Sequence, residues 1–240
     1  MRIINAGNII MNTYVYPCSN GYIMVDTGYE HSLKDVENKL NRNGIKLSEI
    51  KYVFLTHAHD DHAGFLNELL EKNAELKVIM SDKSMLTLKR GQNSFEGGCS
   101  TLLAWIFCKL MGLVGKAEHR FPVIEDKYDD RFIEIAESNM TELEKILQGK
   151  IIFTPGHTAD SISLKVEDIV FCGDAAMNDF PSIKRLIIWI EDKVDFEKSW
   201  DVLIAERADT LYPAHGRPFP ISDLEKYKKH ISKLRLRKLN

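Results

Sequence analysis

The stretch "FLTHAHDDHAG", residues 54–64, sets three histidines and two aspartates within the six positions from His57 to His62. It follows directly on the apolar run Tyr52-Val53-Phe54-Leu55. A solvated surface would accept such groups at little cost. A strand end that points into a pocket would not, because burying poorly paired imidazoles and carboxylates costs on the order of several kcal/mol. Metal ions offset that cost. His57 and His59, two apart in an extended segment, point the same way. Asp61 and His62 lie past the bend, where a helix opens, and aim elsewhere. One short loop can therefore feed two metal ions.

Further along, the same residue types recur in the same setting. His157 stands in "TPGH", Asp174 in "FCGDA" and His215 in "YPAHG". Each follows an apolar, strand-like run, so each side chain is expected to emerge at a sheet end. Alone, "TPGH", "PAHG" or "GD" reads as an ordinary turn. In order behind HxHxDH, they complete a set of five imidazoles and two carboxylates: His57, His59, Asp61, His62, His157, Asp174 and His215. That donor set suits zinc first, with iron or manganese also accommodated.

Bulk properties exclude other classes. The chain has 240 residues, 44% of them hydrophobic and 28% charged, as in an ordinary globular protein. A net charge of −3 gives no general attraction to nucleic acid or to anionic membranes. The first residues lack the pattern of a signal peptide. The longest apolar stretch, Thr101–Gly115, is interrupted by Lys109 and too short to span a bilayer, so no stable membrane insertion is expected. Cys18, Cys99, Cys108 and Cys172 form no CxxC pair, which points to reduced thiols in a cytoplasmic protein.

No linker-like segment breaks the chain, so a single domain over 1–240 is expected. Strands are read in "NIIMNTYVY", "GYIMVDTG", "IKYVFLT", "LKVIMS", "KIIFTPGH", "SISLKV", "DIVFCGD" and "TLYPAHG". Helices are read in "HSLKDVENKLNRNG", "HAGFLNELLEKN", "TELEKILQG", "SIKRLIIWIED", "DFEKSWDVLIAE" and "DLEKYKKHISKLRLRK". Strand clusters separated by helices imply a layered α/β arrangement. Residues 81–120 are looser and helical. Within them, "STLLAWIFCKLMGLVGK" is apolar on all sides and is expected to be buried as a lid, a core helix or a dimer helix. His31, His119 and His230 read as solvated.

On "DTG" at Asp26, "THAHDDHAG", "TPGHT", "GDA" and "YPAHG", the sequence resembles the metallo-β-lactamase-fold hydrolases of the HxHxDH branch. The resemblance implies an αββα four-layer sandwich: two mixed β-sheets flanked by helices, with metals at one sheet edge and residues 81–120 inserted as a helical lid. It implies that His57, His59 and His157 hold one divalent ion, that Asp61, His62 and His215 hold a second, and that Asp174 bridges them. Asp26 would stand behind the site and orient a ligand through its other ring nitrogen. Two ions roughly 3.5–4 Å apart would share a hydroxide that attacks the substrate, with Asp61 orienting it or passing a proton. The expected function is hydrolysis of a small ester, thioester or lactone, with a possible homodimer as the assembly. A phosphodiesterase with the same ions and a non-enzymatic ligand-binding regulator are the competing readings. The chain lacks the cysteine ligand of the best-known antibiotic-degrading class. Met177 stands where lactonases of this fold have a tyrosine, and only 25 residues follow His215.

Overall fold

Leu33, Val36 and Leu40 recur at helical spacing, and they form the buried face of a helix, α1 (Leu33–Arg42). The same rule gives α2 (Leu66–Lys72), which buries Leu66, Leu69 and Leu70. The computed structural model describes residues 1–115 and 117–239. In chain order its remaining helices are α3 (Ser84–Arg90), α4 (Leu102–Leu113), α5 (Met140–Leu147), α6 (Lys193–Ala205) and α7 (Ser222–Lys228). The strands are β1 (Ile4–Asn5), β2 (Tyr14–Cys18), β3 (Gly21–Val25), β4 (Ile50–Phe54), β5 (Lys77–Ser81), β6 (Gly98–Cys99), β7 (Phe132–Ile135), β8 (Lys150–Phe153), β9 (Ile162–Val166), β10 (Ile169–Gly173), β11 (Trp189–Ile190), β12 (Thr210–Pro213) and β13 (Phe219–Pro220).

These elements fall into two compact units. The first comprises residues 1–93 and 120–150. Its six-stranded sheet has the order β1-β2-β3-β4-β5-β7. β1, β2 and β3 pair antiparallel, and β3 to β4, β4 to β5 and β5 to β7 pair parallel. Parallel neighbours need a crossover, which α1 and α2 supply. Val53, Phe54, Val78, Ile79 and Met80 are fully buried, as central parallel strands require. One face of the sheet packs Val15, Met24, Val53, Val78 and Met80 against the apolar faces of α1 and α2. Arg131 ties the returning segment to this unit: its guanidinium donates to the carbonyls of Leu70, Asn73 and Leu76.

The second unit comprises residues 94–119 and 151–240. Its main sheet has the order β13-β12-β10-β9-β8, and a small antiparallel ribbon pairs β11 with β6. β9 and β10 form an antiparallel pair, while β10 and β12 run parallel with α6 in the crossover. The core gathers Phe196, Trp200 and Leu203 of α6 with Val170, Cys172, Leu211, Leu224 and Ile231. The Trp200 indole N–H donates to the Ala175 carbonyl at 2.7 Å.

Four sequence expectations are corrected here. The run "NIIMNTYVY" is strand only from Tyr14 onward. "SIKRLIIWIED" is not a helix: Lys184 and Arg185 have φ of 58° and 65°, left-handed values that a right-handed helix cannot continue through, and Trp189–Ile190 pairs with β6 instead. The last helix stops at Lys228, because the tail is drawn out so that Arg237 can bridge Cys99. Finally, α4 is not buried. Ala104 is its one buried residue, whereas Leu102, Ile106, Leu110 and Leu113 are 53%, 42%, 56% and 83% exposed. The strands β1 and β7 were not legible as periodic runs; β7 is a parallel edge strand of four residues.

Truncating Trp200 tests the second core. Trp200→Ala is expected to cost about 3–5 kcal/mol in equilibrium denaturation. Trp200→Phe keeps the ring packing but strips the Ala175 carbonyl of its donor, and is expected to cost about 1–3 kcal/mol.

Candidate metal centre

Parallel pairing brings strand C-termini to one edge, and in each unit the chemistry-bearing side chains follow directly on such ends. In the first unit Asp26 follows β3 and Thr56-His57 follows β4, its parallel neighbour. The loop from His57 to His62 is buried apart from the partly exposed Asp60. His57 and His62 are wholly inaccessible, and His59 and Asp61 nearly so. The His57 ring centroid lies 4.5 Å from that of His59 and 3.9 Å from that of His62. Ligand atoms of His57 and His59 lie within 4.8 Å of one another, as do those of His57 and His62 and those of Asp61 and His62.

What holds this loop is a buried carboxylate. Asp26 accepts from the Thr56 N–H at 2.7 Å, from the Thr56 hydroxyl at 2.8 Å and from His62 Nδ1 at 2.9 Å. The Thr56 hydroxyl has one hydrogen, and Asp26 takes it. Toward His57 Nδ1, 3.1 Å away, Thr56 Oγ1 therefore acts as acceptor. Both rings are thereby fixed as Nδ1–H tautomers that turn Nε2 outward, an assignment made from the hydrogen-bond network. Asp26 has φ of 57°, a left-handed conformation that aspartate tolerates better than most residues. At the loop's far side, Asn93 accepts from the Asp60 N–H at 2.9 Å and donates to the Asp60 carboxylate at 2.7 Å. Gly64 closes the motif where the backbones of Glu30 and Asp60 leave no room for a Cβ.

In the second unit, Asp174 follows β10 and His215 follows β12, again parallel neighbours. His157 follows β8, and its Nδ1 donates to the Trp189 carbonyl at 2.8 Å. His157 Nε2 lies 3.5 Å from one Asp174 oxygen, Oδ2. His215 Nε2 lies 3.5 Å from the other, Oδ1. One buried carboxylate thus presents a separate oxygen to each of two imidazoles. The spacing is informative: two donors on one tetrahedral ion, each about 2.0–2.2 Å from it, sit about 3.4 Å apart. Borderline nitrogen and oxygen donors at ion-sharing separations, with outward Nε2 atoms fixed from behind, fit divalent metal binding.

All seven sequence-derived ligands are therefore buried at strand ends. His57, His59, Asp61 and His62 gather in the first unit, and His157, Asp174 and His215 in the second. His31 and His119 are exposed, as expected, and the exposed His230 ring lies 3.3 Å from the Lys184 ammonium. Sequence reasoning missed Thr56, whose only signal was its place before His57. It also missed Glu191, and it considered Trp189 for its side chain, as pocket lining or core, rather than for its main chain. The Trp189 contribution is a backbone carbonyl, which no side-chain pattern encodes. The Glu191 carboxylate accepts from the Ala159 N–H at 3.0 Å, and burial pushes its carboxyl up from the usual range.

Comparison with known proteins agrees with this picture. A family model described as the metallo-beta-lactamase superfamily matches residues 10–215. A metallo-beta-lactamase fold-containing protein of Sulfurisphaera tokodaii, ST1585, is 28% identical over 168 residues, covering 70% of this chain and 57% of that one. A probable metallo-hydrolase of Methanocaldococcus jannaschii, MJ0888, is 28% identical over 220 residues, covering 86% and 91%. Among solved structures, a mutant of the Cronobacter sakazakii metallo-beta-lactamase with the HARLDQ motif superposes with a TM-score of 0.66 at 18% identity, over 96% of this chain and 89% of that chain. That likeness shows a shared fold. The chain spans less than two thirds of the length of ST1585.

The turn before His157 offers a local test. Gly156 has φ of 129°, and a Cβ there would run into the backbone of Phe196. Gly156→Ala combines a disfavoured conformation with a backbone collision, and is expected to lose at least about 2 kcal/mol of stability in urea unfolding.

Proposed function

This chain belongs to the metallo-β-lactamase superfamily, whose members are generally metal-dependent hydrolases, and on that premise we propose that it hydrolyses a small ester, thioester or lactone at a binuclear metal centre. One observation carries the reading: the two Asp174 oxygens each face a different imidazole Nε2 at 3.5 Å. That is the arrangement of a carboxylate shared between two ions.

In this reading the two half-sets act together within one domain. His57, His59 and His157 would hold one ion, and Asp61, His62 and His215 the other, with Asp174 available to both. Zinc suits the donors best, and iron or manganese can occupy the same set. When bound, such ions supply Lewis acidity and lower the pKa of coordinated water. The chain's own residues do the rest. Asp26 and Thr56 fix the tautomers of His62 and His57, and the Trp189 carbonyl fixes that of His157. Asp61 would orient the attacking hydroxide or pass a proton. The exposed apolar face of α4 supports reading residues 81–120 as the element that selects an apolar acyl group, and the same face could close a homodimer. A small-molecule substrate and a cytoplasmic setting complete the proposal. No helix among the described residues is long and apolar enough to cross a membrane.

Elemental analysis of the purified protein is expected to find two metal equivalents per chain. A panel of acyl thioesters, lactones and bis(p-nitrophenyl) phosphate is expected to show turnover of the acyl substrates well above that of the phosphodiester. The reverse ranking would replace the proposal with a phosphodiesterase, and full metal with no turnover would make the protein a binder. In Asp61→Asn, with metal content measured beside the rate, turnover per bound metal is expected to fall about 10²–10⁴-fold; unchanged turnover with metal retained would remove Asp61 from the mechanism. Asp26→Ala is expected to weaken metal affinity by about 10–100-fold in chelator competition, because His62 loses the acceptor that orients it.

A further inference from the structure

One stripe of the second unit is both apolar and uncovered. α4 starts at the Thr101 cap, which accepts from the Ala104 N–H at 3.0 Å. From there each residue is turned about 100° from the last. That spacing places Leu102, Ile106, Leu110 and Leu113 on one side of the helix, and all four are exposed. Ala104, on the far side, is buried. Phe107 stands at one border of the stripe, where its ring meets that of the 67% exposed Phe180 edge-on at 6.0 Å. Trp105 and Lys109, one turn apart, form the other border.

Along that second border the C-terminal tail is pinned. Cys99 and Arg237 exchange backbone hydrogen bonds of 2.9 and 3.0 Å. The Trp105 indole N–H donates to the Lys238 carbonyl at 2.9 Å, and the Lys109 ammonium donates to the Leu239 carbonyl. The tail alternates as an extended segment does. Leu234 and Leu236 pack against the core of this unit, while Lys233, Arg235, Arg237 and Lys238 are exposed. None of these four cations enters an ion pair among the described residues. Residues 226–240 hold seven lysines and arginines and no acid, and α4 holds no acid either. The net charge of −3 therefore conceals a local separation of charge. The acid next to the patch, Asp179, is engaged with the Phe180 N–H, from which it accepts at 2.8 Å.

We infer that this face docks on an anionic lipid bilayer, with α4 lying in the plane of the interface and the tail cations against the headgroup phosphates. An apolar helix face edged by tryptophan and by cations is the composition that such an interface binds. Each cation held near an anionic surface adds attraction, and the pinned tail keeps several of them beside the leucines. The twelve residues of α4 are too few to span a bilayer, so the contact is peripheral and reversible. A second copy of the chain fits the face less well. A two-fold dimer pairs a surface with itself, and this surface would bring cations with no acid to meet them. The inference goes beyond the proposed hydrolysis, since it concerns where the protein sits and not what it cleaves.

Flotation of the full-length protein with lipid vesicles tests it, and needs neither bound metal nor turnover. The protein is expected to float with vesicles containing phosphatidylglycerol and to bind pure phosphatidylcholine vesicles at least about tenfold more weakly. Added salt is expected to narrow that gap. Ile106→Ser combined with Leu110→Ser changes two exposed positions. It is expected to weaken flotation at least about tenfold, with far-ultraviolet circular dichroism and the unfolding midpoint unchanged. Arg235→Gln combined with Lys238→Gln is expected to lose at least about tenfold on the anionic vesicles and little on phosphatidylcholine. The inference is overturned if the protein floats with neither vesicle, if it binds both equally at low salt, or if either double variant floats like the parent. It is also overturned if sedimentation equilibrium without lipid finds a dimer that Ile106→Ser with Leu110→Ser dissociates and that anionic vesicles leave intact; the face would then belong to a second copy.

Discussion

The buried Asp26 carboxylate is the constraint on which the first half of the candidate site depends. Three donors converge on it, two from Thr56 and one from His62. Each of its two oxygens accepts at least one of them, so this buried acid leaves neither acceptor unmatched. Its acceptor oxygens in turn decide where hydrogens lie on the neighbouring side chains. With the Thr56 hydroxyl hydrogen donated to Asp26, the orientation of His57 follows from hydrogen-bond geometry alone. A backbone torsion that most residues would avoid is the cost of placing this acid at the end of its strand.

The second unit solves the same orientation problem without an acid. His157 is held by a main-chain carbonyl on a two-residue strand, and that strand is itself held by pairing with β6. A carbonyl orients an imidazole as surely as a carboxylate does, but adds no charge. Negative charge is supplied by Asp174, between His157 and His215. Asp174 is seated at the end of β10 next to Ala175, whose carbonyl accepts from the buried indole of Trp200. Packing and donor geometry are thus linked through adjacent residues.

The site was more legible than the fold around it. HxHxDH, "TPGH", "GD" and "PAHG" are dense in scarce polar residues behind apolar runs, so each could be read as a strand end with a chemical purpose. All seven of those residues are buried at such ends. Asp26 was legible from "DTG", and it does reach His62. Thr56 was not, since threonine after a strand is ordinary. Trp189 was misread as part of a helix because Leu186, Ile187, Ile190 and their neighbours are apolar throughout, and periodicity cannot separate a short buried strand from a helix in such a run. The apolar stretch from Leu102 was expected to be covered. Its exposed leucines show that composition gives a residue's preference for burial, not the surface that would cover it.

The two units are interleaved along the chain: residues 94–119 leave the first for the second, and residues 120–150 return. No single cut can therefore yield either unit entire. A fragment ending near residue 93 would have α2 but lack Arg131, the cation that donates to the carbonyls at that helix's C-terminal end. A fragment beginning near residue 151 would lack β6, and with it the partner strand of Trp189. During synthesis, the HxHxDH loop must wait some seventy residues, about the distance from His62 to Arg131, before its own sheet is complete. An exchange of one unit for another would have to be made at three boundaries at once.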